Sequence, residues 1–131
     1  MTQVGQDNNR KTILIVEDSP VQAYTIAKLM NDERLNVLCA PNGRAGVSLA
    51  EQYLPDVIIL DIEMPEMDGF EACRHLKKNP RTANIPVIML TAHTEAVVAL
   101  EGLNLGAIDF IPKDDFSTTV LLETLRQMKI L

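Results

Sequence analysis

The chain has 131 residues, 47% apolar and 23% charged, with a net charge of −6 at pH 7. That length suits one domain with a real core, and the acidic balance excludes nucleic acid as a direct partner, because phosphates need a basic face. No apolar stretch reaches the roughly 18 residues of a membrane span, and Cys39 and Cys73, without C-x-x-C spacing, give neither a disulfide framework nor a zinc site. Both cysteines sit in apolar or helical patterns, so buried or half-buried thiols in a reducing compartment, the cytoplasm, are expected.

The start, "MTQVGQDNNR", lacks the apolar centre of a signal peptide, and residues 1–10 read as a frayed, disordered tail. The domain is expected over residues 11–131. "TILIV" (12–16) reads as the first strand. In "SPVQAYTIAKLMND", Ser19 can cap a helix and Pro20 fits its first position. Ala23, Ile26, Ala27 and Met30 then share one helical face. "NVLCA" (36–40) is the second strand, and "NGRAGVSLAEQY" (42–53) gives a turn and the second helix.

"VIIL" (57–60) is the third strand, followed by a loop through Pro65 and Gly69 into "FEACRHLKKN", which stops at Asn79-Pro80. "PVIML" (86–90) is the fourth strand. Thr94 can cap the fourth predicted helix, "EAVVALEGLNL", which Gly106 ends. "IDFI" (108–111) is the fifth strand. The final helix, "STTVLLETLRQMKI", carries Leu121, Leu125 and Met128 on one face. Continuous apolar strands joined by helices imply a parallel sheet covered on both faces. Right-handed crossovers make it an open, doubly wound α/β fold.

Such sheets place their sites beyond the carboxyl ends of the strands. Strand one ends in Glu17-Asp18, strand three in Asp61 and strand four in Thr91, and Lys113 follows strand five. Three crowded carboxylates raise one another's pKa, and a hard cation such as Mg²⁺ relieves the repulsion. With an ammonium and a hydroxyl added, the group describes a seat for a phosphoryl group, with Asp61 as nucleophile. Each residue alone has a plainer reading: Asp61 or Thr91 as a cap, Glu17-Asp18 as helix N-terminal acids, Lys113 as a solvated charge. Their shared placement at the strand ends is what favours the site.

"ILIVEDS", "PDVIILDIEMPEMDGFEACRHL", "IPVIMLTA" and "GAIDFIPK" together resemble the receiver domain of a two-component response regulator, over residues 11–131. The offsets agree: 43 residues from Asp18 to Asp61, 30 to Thr91 and 22 to Lys113. The resemblance implies a flavodoxin-like (βα)5 sheet in strand order 2-1-3-4-5. It also implies phosphoryl transfer to Asp61 from a sensor histidine kinase or histidine phosphotransfer protein. Mg²⁺ would be held by the carboxylates of Asp18 and Asp61, the backbone carbonyl of Glu63, and Glu17 through water. Thr91 and Phe110 would be the switch pair, and Glu63 and His93 would tune phosphoryl lifetime. The signal would leave through the fourth predicted helix, the fifth strand and the final helix, while the first helix would meet the phosphodonor.

Two departures stand out. The family usually has proline directly after the lysine, whereas here Pro112 precedes Lys113 and Asp114-Asp115 follows, so another loop path and competition for the lysine are expected. Glu17 is a longer form of the first acid. The chain closes on its final helix, which fits a single-domain regulator or a piece of a larger protein. Apart from accepting and losing its own phosphoryl group, a receiver is no enzyme. An aspartyl phosphatase would use Glu63, two residues after Asp61, as acid/base, although D-x-D-x-T is absent. A receiver-shaped module that is never phosphorylated is the remaining alternative.

Overall fold

The computed structural model describes residues 10–92, 101, 103–114 and 117–131. The elements run β1 (Thr12–Val16), α1 (Pro20–Asp32), β2 (Asn36–Ala40), α2 (Gly43–Tyr53), β3 (Val57–Asp61), α3 (Gly69–Lys78), β4 (Val87–Thr91), β5 (Asp109–Pro112) and α4 (Ser117–Gln127). All strand pairings are parallel, in the order β2-β1-β3-β4-β5. This is the expected doubly wound flavodoxin-like sheet. The fourth predicted helix, with His93, Thr94 and Glu95, lies largely outside the described residues, as do the first nine residues of the expected tail.

Because β1, β3 and β4 are interior strands, both faces of each must be dry, which their unbroken apolar runs supply. Alternation along each strand divides the core in two. Leu14, Val16, Ile58, Leu60 and Met89 meet Ala50, Ala72, Cys73 and Leu76 of α2 and α3. Ile13, Ile15, Ile59, Ile88 and Leu90 meet Ile26, Met30, Leu121 and Leu125 of α1 and α4. Ser19 caps α1 as the sequence indicates, its hydroxyl accepting from Gln22 N, and the starts of α2 and α3 are capped likewise, Asn42 accepting from Ala45 N and Asp68 from Glu71 N.

Two strands sit one residue later than expected. Pro86 has no N–H, so it enters the ladder only as an acceptor, from Ile58 N at 3.0 Å, and β4 starts at Val87. β5 ends at Pro112, opposite Thr91. Cys73 is buried as expected, but Cys39 is exposed, because β2 is an edge strand and its apolar pattern does not guarantee cover. Among the described residues, no helix is long and apolar enough to cross a membrane.

The approach of α3 to the end of β3 requires a glycine. A Cβ at Gly69 would lie against Asp61 O and 2.7 Å from Ile62 Cα, both rigid backbone. Gly69 N also donates to Ile62 O at 3.0 Å, tying the helix start to the turn after Asp61. Gly69→Ala is therefore expected to lose about 1–3 kcal/mol by overpacking and to shift the Asp61 amide resonance. Urea unfolding with a midpoint equal to wild type would contradict this.

Candidate functional site

The carboxyl ends of the strands bring together residues that the sequence scatters over nearly the whole chain. Glu17 follows β1, Asp61 closes β3, Thr91 closes β4 and Lys113 follows β5. Glu17 is 3% exposed, Asp61 2% and Thr91 0%, so two carboxylates stand inside the protein rather than on it. Asp18 is exposed at the rim.

Lys113 holds the acids together. Its Nζ lies 2.9 Å from Glu17 Oε1 and 3.0 Å from Asp61 Oδ1. Its main-chain N donates to Thr91 O at 2.6 Å, which fixes the lysine beside the end of β4. The reversed Pro112-Lys113 order thus still delivers the ammonium to the acids. Asp115 lies outside the described residues. Glu17 is fixed from its other oxygen, since Ser19 N donates to Oε2 at 3.1 Å. The residue that caps α1 therefore also orients the first acid.

Burial pushes the Asp61 carboxyl up to about 7; neighbouring Glu17 adds to the rise and Lys113 opposes it. For Lys113, burial lowers the pKa, but its bonds and attraction to Glu17 and Asp61 outweigh that and hold it above the usual lysine value. Burial thus keeps the charged form of Asp61 disfavoured even with the lysine in place.

Carboxylate oxygens of Glu17, Asp18 and Asp61 all lie within 4.8 Å of one another. That donor set fits a small hard cation, which takes few carboxylates and keeps several waters. The Glu63 carboxylate is turned elsewhere. It accepts from Thr91 Oγ1 at 2.9 and 3.1 Å and from Ala92 N at 2.8 Å, while Glu63 N donates to Asp61 Oδ1 at 3.3 Å. This bridge from the end of β3 to the end of β4 was not foreseen from the sequence. Phe110 is half-buried against the core shared with α3.

Residues 13–126 match the family described as response regulator receiver domain. The chain belongs to that family. This receiver is 40% identical over 109 residues to Protein PilH of Pseudomonas aeruginosa, covering 83% of this chain and 90% of PilH. It is 36% identical over 120 residues to Response regulator PleD of Caulobacter vibrioides, covering 90% of this chain but 26% of PleD. The chain therefore spans most of one relative and about a quarter of the other. Among solved structures, chemotaxis protein CheY4 of Vibrio cholerae superposes with a TM-score of 0.84 at 30% identity, over 90% of this chain and 98% of CheY4. The signal receiver domain of a signal transduction histidine kinase from Syntrophus aciditrophicus gives 0.81 at 38% identity, over 90% and 89%. Receiver domains are signalling switches that receive phosphoryl groups from histidine kinases and typically use Mg²⁺.

Proposed function

We propose that residues 11–131 form a cytoplasmic receiver that accepts a phosphoryl group on Asp61 from the phosphohistidine of a sensor kinase or histidine phosphotransfer protein. The observation that carries this is the Lys113 ammonium between Glu17 and Asp61, at 2.9 and 3.0 Å, with Thr91 buried beside it. An Asp61 carboxylate oxygen forms the new O–P bond as the N–P bond of the donor breaks, and the bonding pair returns to the imidazole nitrogen. Lys113 offsets charge on the transferring oxygens and keeps Asp61 aligned. The carboxylates of Asp18 and Asp61, the Glu63 main-chain carbonyl and, through water, Glu17 would hold Mg²⁺, which would supply charge neutralisation in this acid cluster.

Thr91 then donates its hydroxyl to the phosphoryl group, and Phe110 turns inward. Their neighbours, the fourth predicted helix, β5 and α4, form the output surface for a downstream protein. Donor access runs past α1, where a groove of about 380 Å³ lined by Val21, Gln22, Lys113 and Ser117 opens beside the site. An aspartyl phosphatase would need Glu63 facing the nucleophile, whereas its carboxylate is taken by Thr91 and Ala92.

Acetyl phosphate with Mg²⁺ is expected to add one phosphoryl group, mapped by mass spectrometry to the peptide containing Asp61. EDTA should prevent the gain and hydroxylamine should remove it, as for an acyl phosphate. Labelling elsewhere, or labelling stable to hydroxylamine, would count against Asp61.

A further inference from the structure

We infer that Glu63 is a latch: a positioning residue that holds the switch in its resting arrangement and must be displaced when Asp61 is phosphorylated. The inference rests on the acceptor reading of Asp61 given above. Its origin is the sheet register. Asp61 pairs with Leu90 across β3 and β4, and Ile62 N donates to Leu90 O at 3.0 Å. Two residues beyond Asp61, the chain is therefore level with the end of β4. A glutamate there reaches both Thr91 Oγ1 and Ala92 N.

The consequence follows from the count of protons. A threonine hydroxyl has one hydrogen, and Thr91 directs it at the Glu63 carboxylate. Donation to a phosphoryl group on Asp61 requires that bond to break. The Ala92 amide is held by the same carboxylate at 2.8 Å, so the backbone leaving β4 is tied down together with the hydroxyl. Both bonds have a charged acceptor and are of the stronger kind.

Phosphorylation supplies the force that opens the latch. It turns the single charge of the Asp61 carboxylate into roughly −1.5 to −2 on the phosphoryl group, a net gain of about one charge or less beside Oδ1, which accepts from Glu63 N. The phosphoryl oxygens compete with the Glu63 carboxylate for the one Thr91 proton, and that competition draws the hydroxyl off the latch. The latch thus lowers the population of the active arrangement before phosphorylation and makes the change more nearly two-state.

Beryllofluoride with Mg²⁺, which mimics a phosphoryl group on an aspartate, tests this by amide-resonance titration of the intact chain. Glu63→Ala keeps the main-chain carbonyl but releases Thr91 and Ala92, and should tighten beryllofluoride binding by about tenfold, the low end for hydrogen bonds to a charged group. Glu63→Gln, neutral but still an acceptor, should fall between. In a Thr91→Ala background the gain from Glu63→Ala should shrink to the share carried by the Ala92 amide, since one of the two partners of the carboxylate is already gone. A full gain persisting there would mean simple charge repulsion and overturn the latch. So would unchanged affinity in Glu63→Ala when wild type binds normally. If wild type itself fails to bind beryllofluoride, the acceptor reading falls, and the latch with it.

Discussion

Asp61→Asn is expected to end phosphoryl uptake altogether while making the metal-free protein more stable, by about 1–3 kcal/mol at pH 8. The two effects have one cause. Asp61 is 2% exposed beside an almost equally buried Glu17, and among the described residues Lys113 is the cation that balances the pair. Asparagine keeps the shape of the side chain but has no anionic oxygen to attack phosphorus, so acetyl phosphate should leave its mass unchanged. It also removes the charge that the interior resists.

The pH dependence of that gain has a definite sign. The carboxyl is raised in the folded protein from its ordinary 3.8 to about 7. Stability tied to a neutral Asp61 is therefore complete below about pH 3.8 and is lost as pH rises towards 7. Full ionisation costs roughly 4 kcal/mol by this route, and part of it is returned by the ion pair with Lys113 that asparagine forfeits. The stability gap between variant and wild type should open as pH rises over that range and level off above it. Urea midpoints at pH 5 and pH 8 in EDTA check this. Mg²⁺ should then raise the wild-type midpoint more than the variant's. A variant no more stable than wild type at pH 8 would mean that Asp61 is not strained by burial.

Most of this site was legible because the strands were. Runs such as Ile13–Val16 and Val57–Leu60 are almost completely buried, and only interior parallel strands need such runs. Once they are strands, their ends share an edge, and Glu17, Asp61, Thr91 and Lys113 must meet there. Side-chain partners within the edge were not legible. The Glu63 bridge depends on the register of β3 against β4 and on a rotamer, and neither leaves a mark in one sequence. The path of the loop at Lys113 was less legible: Pro112 before the lysine suggested a different course, yet the main-chain bond to Thr91 O sets the lysine beside the end of β4. Cys39 misled for the opposite reason, since an apolar pattern on an edge strand resembles one on a covered strand.

Replacing Lys113 by methionine is the second substitution with a large expected effect, and its sign is opposite. Methionine retains an apolar stem of similar length, so packing along the chain changes little, and the main-chain bond from residue 113 to Thr91 O survives. The ammonium does not. Glu17 and Asp61 are then two buried carboxylates from which a partner at 2.9 or 3.0 Å has been withdrawn. Removing one member of a buried pair costs about 3–5 kcal/mol when the charge left behind stays ionised. Asp61 can avoid part of that by keeping its proton, so its carboxyl should rise above the wild-type value of about 7. Stability held by the neutral acid is again lost as pH rises, now through a higher folded-state value. The loss in the variant should thus be smaller at pH 5 than at pH 8. Mg²⁺, which the three acids could hold without the lysine, should restore much of it at pH 8. Calorimetric midpoints at both pH values, with and without Mg²⁺, give the answer. An equal loss at pH 5 and pH 8 would show that Lys113 acts through packing, and that the acids do not depend on its charge.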